Sequence, residues 1–140
     1  MDYENNGAAL RSYKGSSIYG EKYMRMYATT WTYMTSGIMS FRYIGTGYLY
    51  NNKGPGVFTK DESVAIEMTG FMNTCVADYI QNFLNPTLTI LPGNVRTIPY
   101  RITDSIEETV RDIASASIAF SKSDWDSFEI SWDFKKHPMI

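Results

Sequence analysis

Seven basic residues stand between Arg11 and Lys60 against one acid: Arg11, Lys14, Lys22, Arg25, Arg42, Lys53 and Lys60 face only Glu21, a local charge of +6 in a chain of net charge −2. Tyr13, Tyr19, Tyr23, Tyr27, Trp31, Tyr33, Tyr43, Tyr48 and Tyr50 are interleaved with them, together with Ser, Thr and Asn. Cations draw phosphate groups, while hydroxyls, amides and aromatic faces contact sugars and bases. The chemistry this stretch offers is therefore nucleic-acid binding. The plainer reading is one of two differently solvated faces of a single domain, because the other pole is acidic. From Ile102 to Ile140, eight acids meet four bases.

Other chemistries lack their residues. Cys75 and His137 are the only residues of their types, and a zinc site takes about four such ligands. Cys75 falls on an apolar helical stripe and reads as a packed thiol. Gly45-Thr46-Gly47 and Gly54-Pro55-Gly56 lack the Lys-Ser/Thr of a phosphate-cradling loop and read as turns. The paired acids Glu107/Glu108 and Asp124/Asp126 sit where helix N-termini favour carboxylates. No acid cluster with a nearby lysine suggests a metal-dependent nuclease.

The elements that must position the basic residues follow from pattern. A length of 140 residues with 44% hydrophobic content predicts one domain. No apolar run reaches the ~20 residues of a membrane span. The opening Met1-Asp2-Tyr3-Glu4 is no signal peptide, and a single cysteine excludes an internal disulfide, so the expected location is the cytoplasm. Residues 1–21 read as a flexible lead-in and 22–140 as the folded domain.

Thr29 to Met34 and Ile38 to Ile44 favour strands. The second would form a hairpin over Gly45-Thr46-Gly47 with Tyr48-Leu49-Tyr50. Alternation places Met39, Phe41 and Tyr43 on one face and Ser40, Arg42 and Ile44 on the other. One long helix is expected from a Thr59 N-cap, with Glu62 three residues on, to the stop at Asn85-Pro86. Its interior Gly70 marks a close packing contact. Thr87–Leu91 and Val95–Tyr100 read as short strands. A second helix starts near Asp104, with Ile106, Val110, Ile113, Ser117 and Phe120 on its buried stripe, and Ser123 opens a short last helix. The tail, with Trp132 and Phe134, is expected to dock. The predicted class is α+β: a small mixed sheet with hairpins packed against two main helices.

Three stretches carry a resemblance. Ala28-Thr29-Thr30-Trp31-Thr32-Tyr33-Met34 through Arg42-Tyr43 is similar to the opening of the target-recognition domain in large adenine-specific DNA methyltransferases of the BREX (phage-growth-limitation) type. Gly70 to Val76, then Leu84-Asn85-Pro86-Thr87-Leu88, with Gly93-Asn94-Val95 and Ile98-Pro99, resembles that family's helix, strand and turn. Ser123-Asp124-Trp125-Asp126 through Trp132-Asp133-Phe134 and His137-Pro138 resembles its exit from the domain. The likeness runs from about Tyr23 to Ile140 and extends to the specificity domains of type IIG restriction-modification enzymes.

The resemblance implies a target-recognition-domain-like fold that reads DNA sequence, with S-adenosylmethionine held only by a separate catalytic domain. No cofactor is expected in this chain. Asn85-Pro86-Thr87-Leu88 departs from the Asn-Pro-Pro-Tyr type motif that holds the target amine in amino-methyltransferases, and reads as a helix stop. The expected partner is double-stranded DNA. The candidate contacts are Lys22, Arg25, Thr30, Thr32, Ser36, Ser40, Arg42 and Lys53, with Asn94 and Arg96 as a second patch. Arg42 has the alternative of an internal salt bridge, and Trp31 is expected in the core. Two other readings stand beside this one. One is an interaction module that docks on a methyltransferase or restriction-system subunit through the 61–84 helix and the tail. The other is residual methyltransferase or nuclease activity.

Overall fold

The computed structural model describes residues 3–16, 18, 20–51 and 53–137. Tyr19, Asn52 and Pro138, which the sequence places in the lead-in, a loop and the tail, lie outside the described residues.

The sheet is built on β1 (Tyr27–Trp31), a β-branched and aromatic run suited to a central strand. β2 (Phe41–Ile44) and β3 (Gly56–Thr59) flank it, both antiparallel, in the order β2-β1-β3. Trp31 lies opposite Phe41, and Thr29 opposite both Tyr43 and Val57. Those five side chains share the inner face. The outer face carries Ala28, Thr30, Arg42, Ile44 and Phe58, so the alternation read from sequence holds for β2.

The inner face is covered by α2 (Glu62–Met72). Its start is set by Asp61, whose carboxylate accepts from the Ser63 backbone N–H at 3.0 Å. Thr59, the expected cap, instead accepts from the Asp61 N–H. Buried Thr29 joins strand to helix: its Oγ1 donates to the Ala65 carbonyl at 3.0 Å and lies 2.9 Å from Thr69 Oγ1. The core gathers Trp31, Phe41, Met72, Ile90, Val95 and Ile98, with Met39, Val57, Met68, Phe71 and Ile80 against it. Trp31 is thus a core residue, and its Nε1 donates to the Ile90 carbonyl at 3.0 Å.

The long helix expected over 59–84 is two helices. α2 ends at Asn73, and Thr74 caps α3 (Cys75–Leu84) by accepting from Ala77 N. The break turns α3 so that Val76, Tyr79 and Phe83 face outward, while Ala77 and Gln81 are buried. Cys75 is consequently exposed rather than packed. No strand forms at 48–50, so the chain passes from β2 to β3 without the expected hairpin. The expected strand at 87–91 is reduced to one bridge, Met34 to Thr89. Val95 belongs not to a strand but to α4 (Pro92–Arg96).

α5 (Asp104–Trp125) absorbs the predicted second and last helices into one. It packs on α2 through Ala114, against which Gly70 fits so closely that a Cβ at residue 70 would lie 2.8 Å from Ala114 Cβ. The expected contact at Gly70 is therefore present. The buried stripe is not the expected one, since Ile106, Ile113 and Phe120 are exposed. The α2-facing side is instead fixed by Arg111, which donates to buried Glu67 at 2.9 Å and to Glu107 at 2.6 Å. Lys122 ties the tail to α5 through Asp126 and Asp133, both at 2.6 Å. Trp132, expected to dock, stands fully exposed.

Within the lead-in, α1 (Glu4–Ser12) is helical, with left-handed angles at Asn5, Asn6 and Gly7. Tyr3 and Arg11 both bind the Glu21 carboxylate, at the start of a 3-10 turn spanning Glu21–Tyr23. Among the described residues, no helix is long and apolar enough to cross a membrane.

Candidate nucleic-acid interface

From Lys22 to Lys60 the sequence has five bases and no acid. The fold distributes the candidate cations around β1. Lys22 sits on the 3-10 turn and Arg25 just before β1. Arg42 lies on β2, and Lys53 on the loop that leads into β3. All four are exposed, and none pairs with a carboxylate among the described residues. The alternative of an internal salt bridge at Arg42 is therefore not taken. Its Nη2 donates to Thr32 Oγ1 at 2.8 Å.

Arg42 and Lys53 each reach the segment that follows β1 at one end of the sheet. Thr32 holds the guanidinium. The Lys53 Nζ lies 4.4 Å from the centroid of the neighbouring Tyr33 ring, a cation–π contact. Asn51 sets the approach of Lys53, its Oδ1 accepting from the backbone N–H of Lys53 at 2.8 Å and of Gly54 at 2.9 Å. Tyr33 and Asn51 were not among the expected site residues. The Asn-x-Lys-Gly run is a recognisable side-chain-capped turn, but the ring beneath Lys53 comes from a segment twenty residues earlier.

Lys22 and Arg25 lie at the opposite end, where they line a groove with Arg11, Thr46 and Gly47. Glu21 borders the same groove. Its carboxyl is held below the usual range, first by the Arg11 hydrogen bond and then by Tyr3, so its charge is largely answered internally. Tyr23 stacks on Phe58 at 4.1 Å and Tyr50 meets the same ring edge-on at 4.7 Å. Tyr23, Tyr50 and Phe58 thus pad the outer sheet face rather than standing free.

The remaining candidates divide. Ser36 and Ser40 are exposed on the 32–40 loop between β1 and β2. Thr30 is a correction: it is only 7% exposed, and its hydroxyl donates to the Pro55 carbonyl at 2.6 Å. It pins the loop before β3 to the sheet and is not free to meet a base. Asn94 accepts from the Leu91 N–H at 3.1 Å, closing the start of α4, whereas Arg96 is exposed. Their segment is joined to the same end of β1, because Tyr33 and Leu88 carbonyls accept from Ile90 and Thr35 N–H groups. Among the described residues, no group of three or more His, Cys, Asp or Glu side chains could hold a metal ion.

No family model matches the chain. Along its whole length it is 32% identical over 142 residues to the adenine-specific methyltransferase BrxX of Escherichia coli O9:H4 (strain HS), of which the match covers 11%. It is 30% identical over 147 residues to the adenine-specific methyltransferase PglX of Lacticaseibacillus casei (strain Zhang), covering 12% of that protein and all of this chain. The chain therefore spans only about a tenth of the length of the curated relatives it matches.

Proposed function

We propose that this chain is the sequence-reading module of an adenine-N6 DNA methyltransferase that serves phage defence or restriction-modification. Methyl transfer and S-adenosylmethionine belong to other parts of such a protein. The observation that carries this reading is four exposed cations, Lys22, Arg25, Arg42 and Lys53, with no internal counter-ion among the described residues. Similarity to a segment of adenine-specific methyltransferases supports DNA as what these cations meet. Thr32, Ser36, Ser40 and Arg96 supply further donors at one end, where a bidentate arginine–guanine contact discriminates bases by about 1–3 kcal/mol. Asn94 contributes by shaping α4 beneath Arg96.

The test is duplex binding against salt. Four phosphate contacts give a slope of log affinity on log salt of about −3.6, so raising salt threefold weakens binding roughly fiftyfold. Replacing Lys22, Arg25, Arg42 and Lys53 together by Gln should flatten that slope. Absence of salt-dependent duplex binding at low ionic strength would overturn the reading.

A second reading, an interaction module docking on a methyltransferase or restriction-system subunit, draws on a different observation: α3 turns Val76, Tyr79 and Phe83 outward while burying Gln81. A concentration-dependent mass in sedimentation that Tyr79→Ser and Phe83→Ser abolish, without any duplex binding, favours this reading.

A further inference from the structure

The 32–40 loop holds two apolar side chains away from the core. Ile38 is 86% exposed at its tip, and Met34, nearer the root, is 60% exposed. Ile38 is not a core residue that missed its place, because the next residue, Met39, packs against the core cluster. Met39 is seated inward while its neighbour Ile38 is left outward. The loop's roots are fixed on both sides. Thr35 N–H donates to the Leu88 carbonyl at 3.0 Å and Ile90 N–H to the Tyr33 carbonyl at 2.8 Å. At the other root, the Asn73 side chain holds Phe41. Near the tip, Thr35 Oγ1 accepts from Gly37 N–H at 3.1 Å, bending the chain ahead of Ile38.

The surroundings of this apolar tip are cationic and hydroxylic. Ser36 and Ser40 flank it, Arg42 and Thr32 stand at its base, and Lys53 lies beside Tyr33. An apolar protein partner would bury the tip yet leave these cations unanswered. A DNA duplex answers both, with a charged backbone around an apolar base stack.

We propose that Ile38 is a wedge that enters between neighbouring base pairs of bound duplex DNA, while Arg42 and Lys53 take the flanking phosphates. This rests on the reading of the chain as a DNA-recognition module and adds to it a mode of engagement, local unstacking and bending. Apolar side chains inserted at a base step kink duplexes by roughly 20–90°.

The experiment uses the full chain and a mixed-sequence duplex labelled at both ends, with affinity followed across salt and end-to-end distance followed by energy transfer. Wild type is expected to shorten that distance. Ile38→Ser should weaken binding by roughly tenfold or more at every salt concentration, as expected for losing a buried aliphatic side chain. It should leave the salt slope unchanged and abolish the shortening, and Ile38→Met should retain it. Arg42→Gln should instead lower the slope by about one. If Ile38→Ser binds and bends the duplex like wild type while Arg42→Gln weakens it, the wedge is wrong and the DNA reading stands. If wild type binds no duplex at low salt, the DNA reading fails and takes the wedge with it.

Discussion

The carboxamide of Asn73 satisfies both backbone groups of Phe41. Its Oδ1 accepts from the Phe41 N–H at 2.9 Å, and its Nδ2 donates to the Phe41 carbonyl at 2.9 Å. The same nitrogen reaches the Thr69 carbonyl at 2.8 Å. Phe41 lies on β2, beside whose outer edge no strand lies among the described residues, so one side chain from the end of α2 stands in for a ladder partner. Asn73→Ala leaves three polar groups to find new partners. We expect a loss of about 1–3 kcal/mol, read as a lower urea midpoint with unchanged m-value. Asn73→Gln should not rescue it, because the longer side chain no longer meets Phe41 from the helix end.

The approach of Gly70 to Ala114 sets the spacing of α2 and α5. Gly70→Ala gains about 1 kcal/mol of helix propensity, but its Cβ would meet Ala114 Cβ at 2.8 Å. Overpacking of this kind costs about 1–3 kcal/mol, and separation of the helices also strains the Arg111–Glu67 pair. We expect the single variant to be destabilised and the double variant Gly70→Ala/Ala114→Gly to return close to wild type in thermal unfolding.

Gln81 is 3% exposed on α3, and both its side-chain nitrogen and oxygen lack a partner among the described residues. A buried amide without hydrogen bonds costs about 1–3 kcal/mol. Gln81→Met keeps the length and removes both polar atoms. It should raise the urea midpoint, whereas most buried substitutions lower it.

Three carboxyls sit below their usual range for identifiable reasons. Asp61 is held down by Ser63, Asp126 by Lys122 and then Ser131, and Glu21 by Arg11 and then Tyr3. A depressed folded pKa means stability that is present above the unfolded value and lost as pH falls through the folded one. Stability should therefore fall on acidification below the ordinary carboxylate range, about pH 4. Asp61→Asn should lose part of that pH dependence, measured as a smaller drop in urea midpoint between neutral and acid solution.

The parts of the fold written in local pattern were legible. β1 and β2, the face alternation of β2, the packing role of Gly70, the core place of Trp31 and the start of α5 near Asp104 all follow from neighbours within a few residues. The misreading of the 59–84 helix has one physical origin, the break at Asn73-Thr74. Helical spacing runs through it unbroken, so sequence shows one apolar stripe from Val64 to Phe83. Asn73, however, is committed to Phe41, 32 residues away. Once the helix stops there, α3 rotates, Cys75 and Tyr79 turn outward, and the inferred stripe no longer describes a single surface. At the candidate interface, Arg42 and Lys53 were readable as charge, but the loss of Thr30 to the Pro55 carbonyl depends on a loop 25 residues distant.

The basic belt and the acidic α5 with its tail give the molecule two electrical ends. The cations gather around the sheet, while α5 and the residues after it carry most of the negative charge. A particle with such a dipole does not tumble freely near a polyanion. On the proposed DNA reading, the field would turn it before contact, sheet foremost, and hold the acidic helix away. Productive collisions then form a larger share of all collisions, and that share shrinks as ions shorten the reach of the field to about 8 Å at physiological strength.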